Sequence, residues 1–257
     1  MTTILLDFDQ TLVFSRRGLD IADQEAQKAL LGYLNRISPK SPVTKAAFAE
    51  AYKIASHGAK NNYRYDRTLW WKSLLGDFVG EPMDSTFLVE LARKYWRSVI
   101  RETLLFPETI PALRAIAEGS NVMMGIISDS DGLVGGKITR IRQFPEVESM
   151  MQVIVVAGEN GLPAKPEKAA FLSALKQLKN RTDGQTFYVG DRFEVDVVGA
   201  CAAEMIPLWL VHPWEYPLEP SQPNLKNPVT GLPITDVVRL RTLEQLPTAI
   251  RLIARQS

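Results

Sequence analysis

Seven side chains able to do acid–base, nucleophilic or metal chemistry stand at the edges of apolar runs. They are Asp7, Asp9 and Thr11 in ILLDFDQTL, Ser128 in GIISDSDG, Lys165 in GLPAKPEKAAF, and Asp191 with Asp196 in YVGDRFEVD. Core strands exclude charge because an unpaired buried carboxylate is costly. Two aspartates two apart, directly after Ile4, Leu5 and Leu6, therefore need a reason. Taken singly, each residue has a plain one: an aspartate after a strand commonly caps the next helix. Taken together, three or four of the carboxylates, the lysine and the Ser128 hydroxyl would meet in a single crevice. Like charges at close range repel, so such a set calls for positive charge beyond one lysine.

The elements that must bring them together are legible. Residues 4–6 are apolar throughout, as strands covered on both faces of a parallel sheet are, and comparable runs recur at 122–127, 153–157, 186–189 and 206–211. Helical periodicity lies between them, over 110–118 (with Thr109 as N-cap and Gly119 as stop), 166–179 and 196–203. Alternating strands and helices predict an α/β fold with an open parallel Rossmann-like sheet. In such sheets ligands bind beyond the carboxyl ends of the strands, which is where Asp7, Ser128 and Asp191 fall. The stretch 14–105 has no strong strand signal and reads as four helices, near 20–37, 44–56, 67–79 and 85–100. That predicts a small helical domain of residues 14–105 inserted into a core of residues 1–13 and 106–257. Residues 213–233, rich in Pro and Asn, read as a loop, and 243–254 as a closing helix whose first turn Pro247 suits.

Composition excludes several classes. A net charge of +1 provides no basic field for nucleic acid. No apolar run of membrane-spanning length occurs and the N-terminus lacks a signal-peptide pattern, so the expected setting is cytoplasmic, without membrane or nucleic-acid partners. Cys201 is the single cysteine, which rules out an intrachain disulfide; its small-residue surroundings suggest an inert packed thiol. Oligomeric state is not legible.

The motif residues resemble the four motifs of the haloacid dehalogenase superfamily, whose members are mostly phosphohydrolases. DFDQT at 7–11 resembles its DxDx[TV] signature, Ser128 its hydroxyl motif, Lys165 with Pro166 its lysine motif, and GDRFEVDVVGA at 190–200 its GDxxxxDxxGA motif. The helical insert has the placement and size of a C1-type cap. The 36 residues between Ser128 and Lys165 leave no room for the large cap that some relatives carry there. RTLWWKSLL within the insert is weakly similar to the rhythmically-expressed-gene-like branch.

The resemblance implies an aspartyl-phosphate mechanism. Asp7 would attack phosphorus in line; Asp9 would protonate the leaving alcohol and then deprotonate the hydrolytic water. Thr11 would orient that pair by hydrogen bonding. By the same resemblance, Mg²⁺ would be held by the Asp7 carboxylate, the Asp9 carbonyl, Asp191 and Asp196. Lys165 would neutralise Asp7 and the transferring oxygens, and Ser128 with the Asp129 amide would hold the phosphoryl group. A carboxylate at Asp9 favours ester hydrolysis over dehalogenation, because a halide leaves without a proton. Phosphate transfer within a sugar, as in a mutase, stays open. Two departures stand out: Asp129 where Asn is common, which would repel phosphate unless it turns away, and Val195 where a polar residue is common, which thins support for the metal.

The expected substrate is a small phosphorylated metabolite selected by the cap. Arg64 and Arg67 are the candidate contacts, with Tyr63, Tyr65 and His57 as pocket-lining side chains; the alternative is solvated arginines beside packed Trp70 and Trp71. His212 reads as a loop residue, and Trp209 with Trp214 as surface aromatics. Two further readings compete: a non-catalytic binding or regulatory member, supported by Asp129 and Val195, and a receiver-like phosphoacceptor, which the second aspartate opposes.

Overall fold

The computed structural model describes residues 2–62, 65–79, 84–119, 121–178, 184–216, 218 and 220–254. In chain order the elements are β1 (Thr2–Leu6), β2 (Val13–Phe14), α1 (Arg16–Ile37), α2 (Lys45–Asn61), α3 (Arg67–Val79), α4 (Ser85–Glu102) and β3 (Leu104–Leu105). There follow α5 (Thr109–Ala117), β4 (Val122–Asp129), α6 (Gly136–Ile141), α7 (Pro145–Met150), β5 (Val153–Ala157), α8 (Lys168–Gln177) and β6 (Thr186–Gly190). A single wide helical turn (Phe193–Val197) leads into α9 (Val198–Ala202), β7 (Ile206–Leu210) and β8 (Val238–Leu240). A tight turn (Leu243–Gln245) opens α10 (Leu246–Ala254).

Six strands form one sheet in the order β5-β4-β1-β6-β7-β8, every neighbouring pair parallel. The fold is α/β, as the alternating pattern predicts. Side chains of a strand alternate between faces, and both faces here are apolar. Ile4 and Leu6 of β1, Met124 and Ile126 of β4, and Phe187 and Val189 of β6 pack in one cluster with α5 and α10. Leu5, Ile127 and Tyr188 point the other way, into a cluster with Phe171 and Ala174 of α8 and Ala200 of α9. This double burial is why these strands read as unbroken apolar runs. The smaller elements β2, β3 and β8, two or three residues long, and α6 and α7, six each, carry too little periodicity to be seen in sequence.

The chain divides into two compact units, residues 1–14, 104–130 and 137–257, and residues 15–103 with 131–136. The second unit is helical. In α1 the buried residues Ala22, Ala26, Leu30 and Leu34 recur every fourth position and form one stripe. They pack with Trp71, Leu75, Leu88, Tyr95 and Val99. Trp71 is wholly buried, and such a burial contributes on the order of 2–3 kcal/mol. Thr44 and Asp84 cap α2 and α4 with side-chain oxygens that accept backbone N–H groups. Residues 131–136 join this unit because Leu133 packs against its core. Among the described residues, no helix is long and apolar enough to cross a membrane.

Several local expectations need correction. The Thr109 hydroxyl does not cap α5; it donates to the carbonyl of Leu12 at 2.7 Å and braces the chain directly before β2. The helix expected over 196–203 starts as the wide turn at Phe193. Trp209 is no surface residue: it is buried, and its indole N–H donates to the Asp191 carbonyl at 2.9 Å. Cys201 is only partly buried, although burial pushes its thiol up.

Candidate active site

The site grows from the end of β1, which lies between β4 and β6. The Asp7 N–H donates to Val189 O at 2.8 Å, so pairing continues one residue past the strand and fixes the Asp7 backbone. The chain then reverses. Leu12 and Val13 both donate N–H bonds to Phe8 O, at 2.9 and 3.2 Å, and Gln10 takes a left-handed φ of 58°. Such a conformation costs a non-glycine residue energy, and one visible brace is external. Nε2 of His212, just past β7, lies 2.5 Å from the Gln10 carbonyl oxygen. His212 stacks on Trp214, with ring centroids 4.0 Å apart, and lies tilted against Phe106 at 4.9 Å. A histidine that reads as a loop residue thus braces the turn between Asp9 and Thr11.

Lys165 is the hub. Its buried ammonium lies 2.9 Å from Asp7 Oδ1, 2.7 Å from Asp196 Oδ1 and 3.1 Å from the Tyr188 hydroxyl. Burial alone would lower its pKa, but Asp196 and Asp7 outweigh that and hold the amine well above its usual range. Tyr188 accepts from the lysine and has one proton to give, to Ile127 O at 2.9 Å or to Asp196 at 3.2 Å. Asp196 also accepts the Arg192 N–H at 2.9 Å. Its approach requires Gly190, where a β-carbon would lie 2.3 Å from the Asp196 carboxyl carbon; Gly199 is similarly required by the Phe171 ring at 2.5 Å. The two glycines of the 190–200 motif are therefore packing requirements. Tyr188 and the Arg192 amide supply the support for Asp196 that apolar Val195 cannot.

Asp7, Asp191 and Asp196 present carboxylate oxygens within 4.8 Å of one another. Oδ1 of Asp191 is buried and finds no hydrogen-bond partner among the described residues. Burial, then the neighbouring Asp196 and Asp7 carboxylates, push the Asp191 pKa well up. Asp7 is raised to about 6, by burial first, against the opposing pull of Lys165. Three crowded carboxylates with one lysine are short of positive charge, and a buried orphan oxygen adds a desolvation cost. These residues fit a hard divalent cation.

Asp9 faces different partners. Its Oδ2 receives Lys137 Nζ and, at 3.1 Å, Arg140 Nη1; its Oδ1 receives Arg140 Nη2. Both cations come from α6 and are almost fully buried, with side chains 5% and 3% exposed against 23% for Asp9. Burial would raise the Asp9 carboxyl, but Arg140 first and Lys137 second hold it far below the usual carboxylate range. In this arrangement Asp9 is ionised and can accept a proton, not give one.

A sequence model of the haloacid dehalogenase-like hydrolases matches residues 1–204. The chain belongs to this hydrolase family. No curated protein sequence matches it. Among solved structures, it is similar to a haloacid dehalogenase-family phosphatase of Thermococcus onnurineus (18% identity, 97% of this chain and 98% of that one, TM-score 0.62). It is also similar to a 2-haloacid dehalogenase of Pseudomonas syringae pv. tomato DC3000 (22%, 99% and 100%, 0.60). A third is a Thermotoga maritima protein assigned as a β-phosphoglucomutase (14%, 98% and 100%, 0.61). At these identities the likeness establishes the fold of the haloacid dehalogenase-like hydrolases and no particular chemistry.

As a member of that family the protein brings Asp7, Lys165, Asp191 and Asp196 together, and buried Ser128 is the last residue but one of β4. Asp129 turns its carboxylate to the Lys165 backbone N–H, 2.9 Å away, and so has a protein donor. The expected hydrogen bond from Thr11 to the aspartate pair is not formed. Thr11 is fully buried, its Oγ1 has no partner among the described residues, and cations cover both Asp9 oxygens. Arg67 donates to the Tyr95 hydroxyl at 2.8 Å and lies over the Tyr95 and Trp96 rings, an arrangement internal to the helical unit. Arg64 and Tyr63 lie outside the described residues. Sequence reasoning missed Lys137, Arg140, Tyr188 and His212. The Lys-x-x-Arg spacing in GKITR was a signal, because positions three apart share a helix face.

Proposed function

We propose that this hydrolase is a Mg²⁺-dependent phosphomonoesterase acting on a small phosphorylated metabolite through an aspartyl-phosphate at Asp7. The observation that carries the reading is the pairing of Asp7 with Lys165 inside a carboxylate set that needs a cation. Lys165 takes one oxygen of Asp7 and leaves the carboxylate ionised with its other oxygen for attack. Asp7, Asp191 and Asp196 would hold Mg²⁺, which supplies positive charge to the phosphoryl oxygens when bound. Ser128 and the Asp129 amide, at the end of β4, would receive the transferring oxygens. Asp9, once released from at least one of its two cations, would serve the leaving oxygen and afterwards take the proton of the attacking water.

Retention of every motif residue argues against a non-catalytic role, and the departures at Asp129 and Val195 are both answered locally, by the Lys165 amide and by Tyr188. The experiment is phosphate release from an aryl phosphate, with and without Mg²⁺, by wild type and Asp7→Asn. Metal-dependent turnover lost in Asp7→Asn supports the reading. Equal turnover by the two proteins would refute it.

A further inference from the structure

Asp9 is paired with two cations other than Lys165, and it is gripped more tightly than a mobile acid should be. Arg140 addresses it with both terminal nitrogens, and Lys137, one helical turn earlier on α6, adds a third contact. A guanidinium presenting two parallel N–H groups is a receptor for any planar carboxylate or for phosphate. Asp9 lies over these groups as the more exposed partner, at 23% against 5% and 3%. While two cations hold it, it is a poor carrier of the proton that a leaving oxygen needs. Another oxyanion arriving at the leaving-group side would relieve that grip by exchange.

We propose that Lys137 and Arg140 form a second oxyanion subsite, filled by Asp9 in this structure, which a carboxylate or phosphate carried on the leaving group takes over, freeing Asp9 for the reacting oxygen. The preferred substrates are then phosphomonoesters with a second anionic group. This deepens the phosphomonoesterase reading and rests on it. The exchange makes and breaks only ion pairs. Each incoming charge-assisted bond replaces one made to Asp9, so selectivity comes from productive release as well as from binding.

The test uses three probes of one carbon length: glycerol 3-phosphate with a neutral far end, 3-phosphoglycerate with a carboxylate, and propane-1,3-diol bisphosphate with a phosphate. Wild type with Mg²⁺ is expected to favour at least one anionic probe over glycerol 3-phosphate by about tenfold or more in kcat/KM. Which of the two is favoured identifies the anion. Arg140→Met should bring the ratio to within about twofold, and Arg140→Lys, which keeps charge but not the fork, should fall between. Lys137→Gln serves as the second variant should Arg140→Met fail to fold. No preference in wild type overturns the proposal, as does an equal fall for all probes in the variants, which would mark a purely structural ion pair. Turnover of glycerol 3-phosphate tests the hydrolase reading separately. If no probe is turned over, calorimetric binding of the same three to Mg²⁺-loaded wild type and variants decides the subsite: a preference lost in the variants sustains it, and equal affinities reject it.

Discussion

Asp129 Oδ1 accepts the backbone N–H of Lys165 at 2.9 Å, tying the end of β4 to the loop that carries the central lysine. An asparagine can accept the same bond without the charge, and burial already pushes the Asp129 carboxyl up, so charge is not what the position needs. Asp129→Asn should keep kcat/KM within about threefold of wild type, whereas Asp129→Ala should cost about 1–2 kcal/mol of stability and lower kcat. Chemical denaturation and steady-state kinetics on the pair check this. Equal losses in both variants would mean that the charge matters after all.

Lys165 pairs with two carboxylates at once, at 2.9 Å for Asp7 and 2.7 Å for Asp196. Removing one member of a buried ion-pair set leaves the others uncompensated, so Lys165→Met should destabilise the protein by about 3–5 kcal/mol and abolish turnover. Saturating Mg²⁺ should recover part of the stability, since a cation at the same carboxylates relieves the same repulsion. Melting curves with and without Mg²⁺ read both effects.

The carboxylate cluster gives the metal response a pH dependence. Asp7 is raised from its ordinary 3.8 to about 6, and Asp191 moves the same way. Between those values the folded protein holds more protons than the unfolded chain, so the metal-free protein loses stability as pH rises through that window. Mg²⁺ binds the ionised carboxylates. Its stabilisation should therefore be small near about pH 5 and clearly larger near about pH 7.5. A melting shift independent of pH would show that these groups do not hold the ion.

His212 should matter more than its loop position suggests. Burial lowers its pKa, opposed by the bond to Gln10, so the ring is favoured neutral in the folded state. A depressed histidine leaves the folded state with fewer protons than the unfolded chain. Stability is present above the ordinary histidine pKa and is lost as pH falls through about 6.5. His212→Phe should weaken that acid-side slope and, by freeing the Gln10 carbonyl, lower kcat more than it raises KM. His212→Gln, with an amide N–H able to reach the carbonyl, should restore part of kcat.

What was legible in the sequence follows from two kinds of repetition. The strands stand out because both sheet faces are buried, which writes β1, β4 and β6 as unbroken apolar runs. Asp7, Lys165, Asp191 and Asp196 stand out because charged residues at strand ends and helix starts violate that pattern. The motif glycines belong to the same set, since Gly190 and Gly199 leave room for Asp196 and Phe171. Contacts made across the fold left no such mark. Tyr188 is written as one more apolar strand residue, yet the sheet's alternation turns its hydroxyl to Lys165 and Asp196. Lys137 and Arg140 lie 128 and 131 positions from Asp9 and look like the polar face of a short helix. His212 is 202 positions from Gln10. The sequence by itself determined which groups gather at the rim of the sheet, because their chemistry and local burial are written together. Only the tertiary structure decided which cation faces which carboxylate, because ion pairing depends on distance in space and each cation had several acids to choose from.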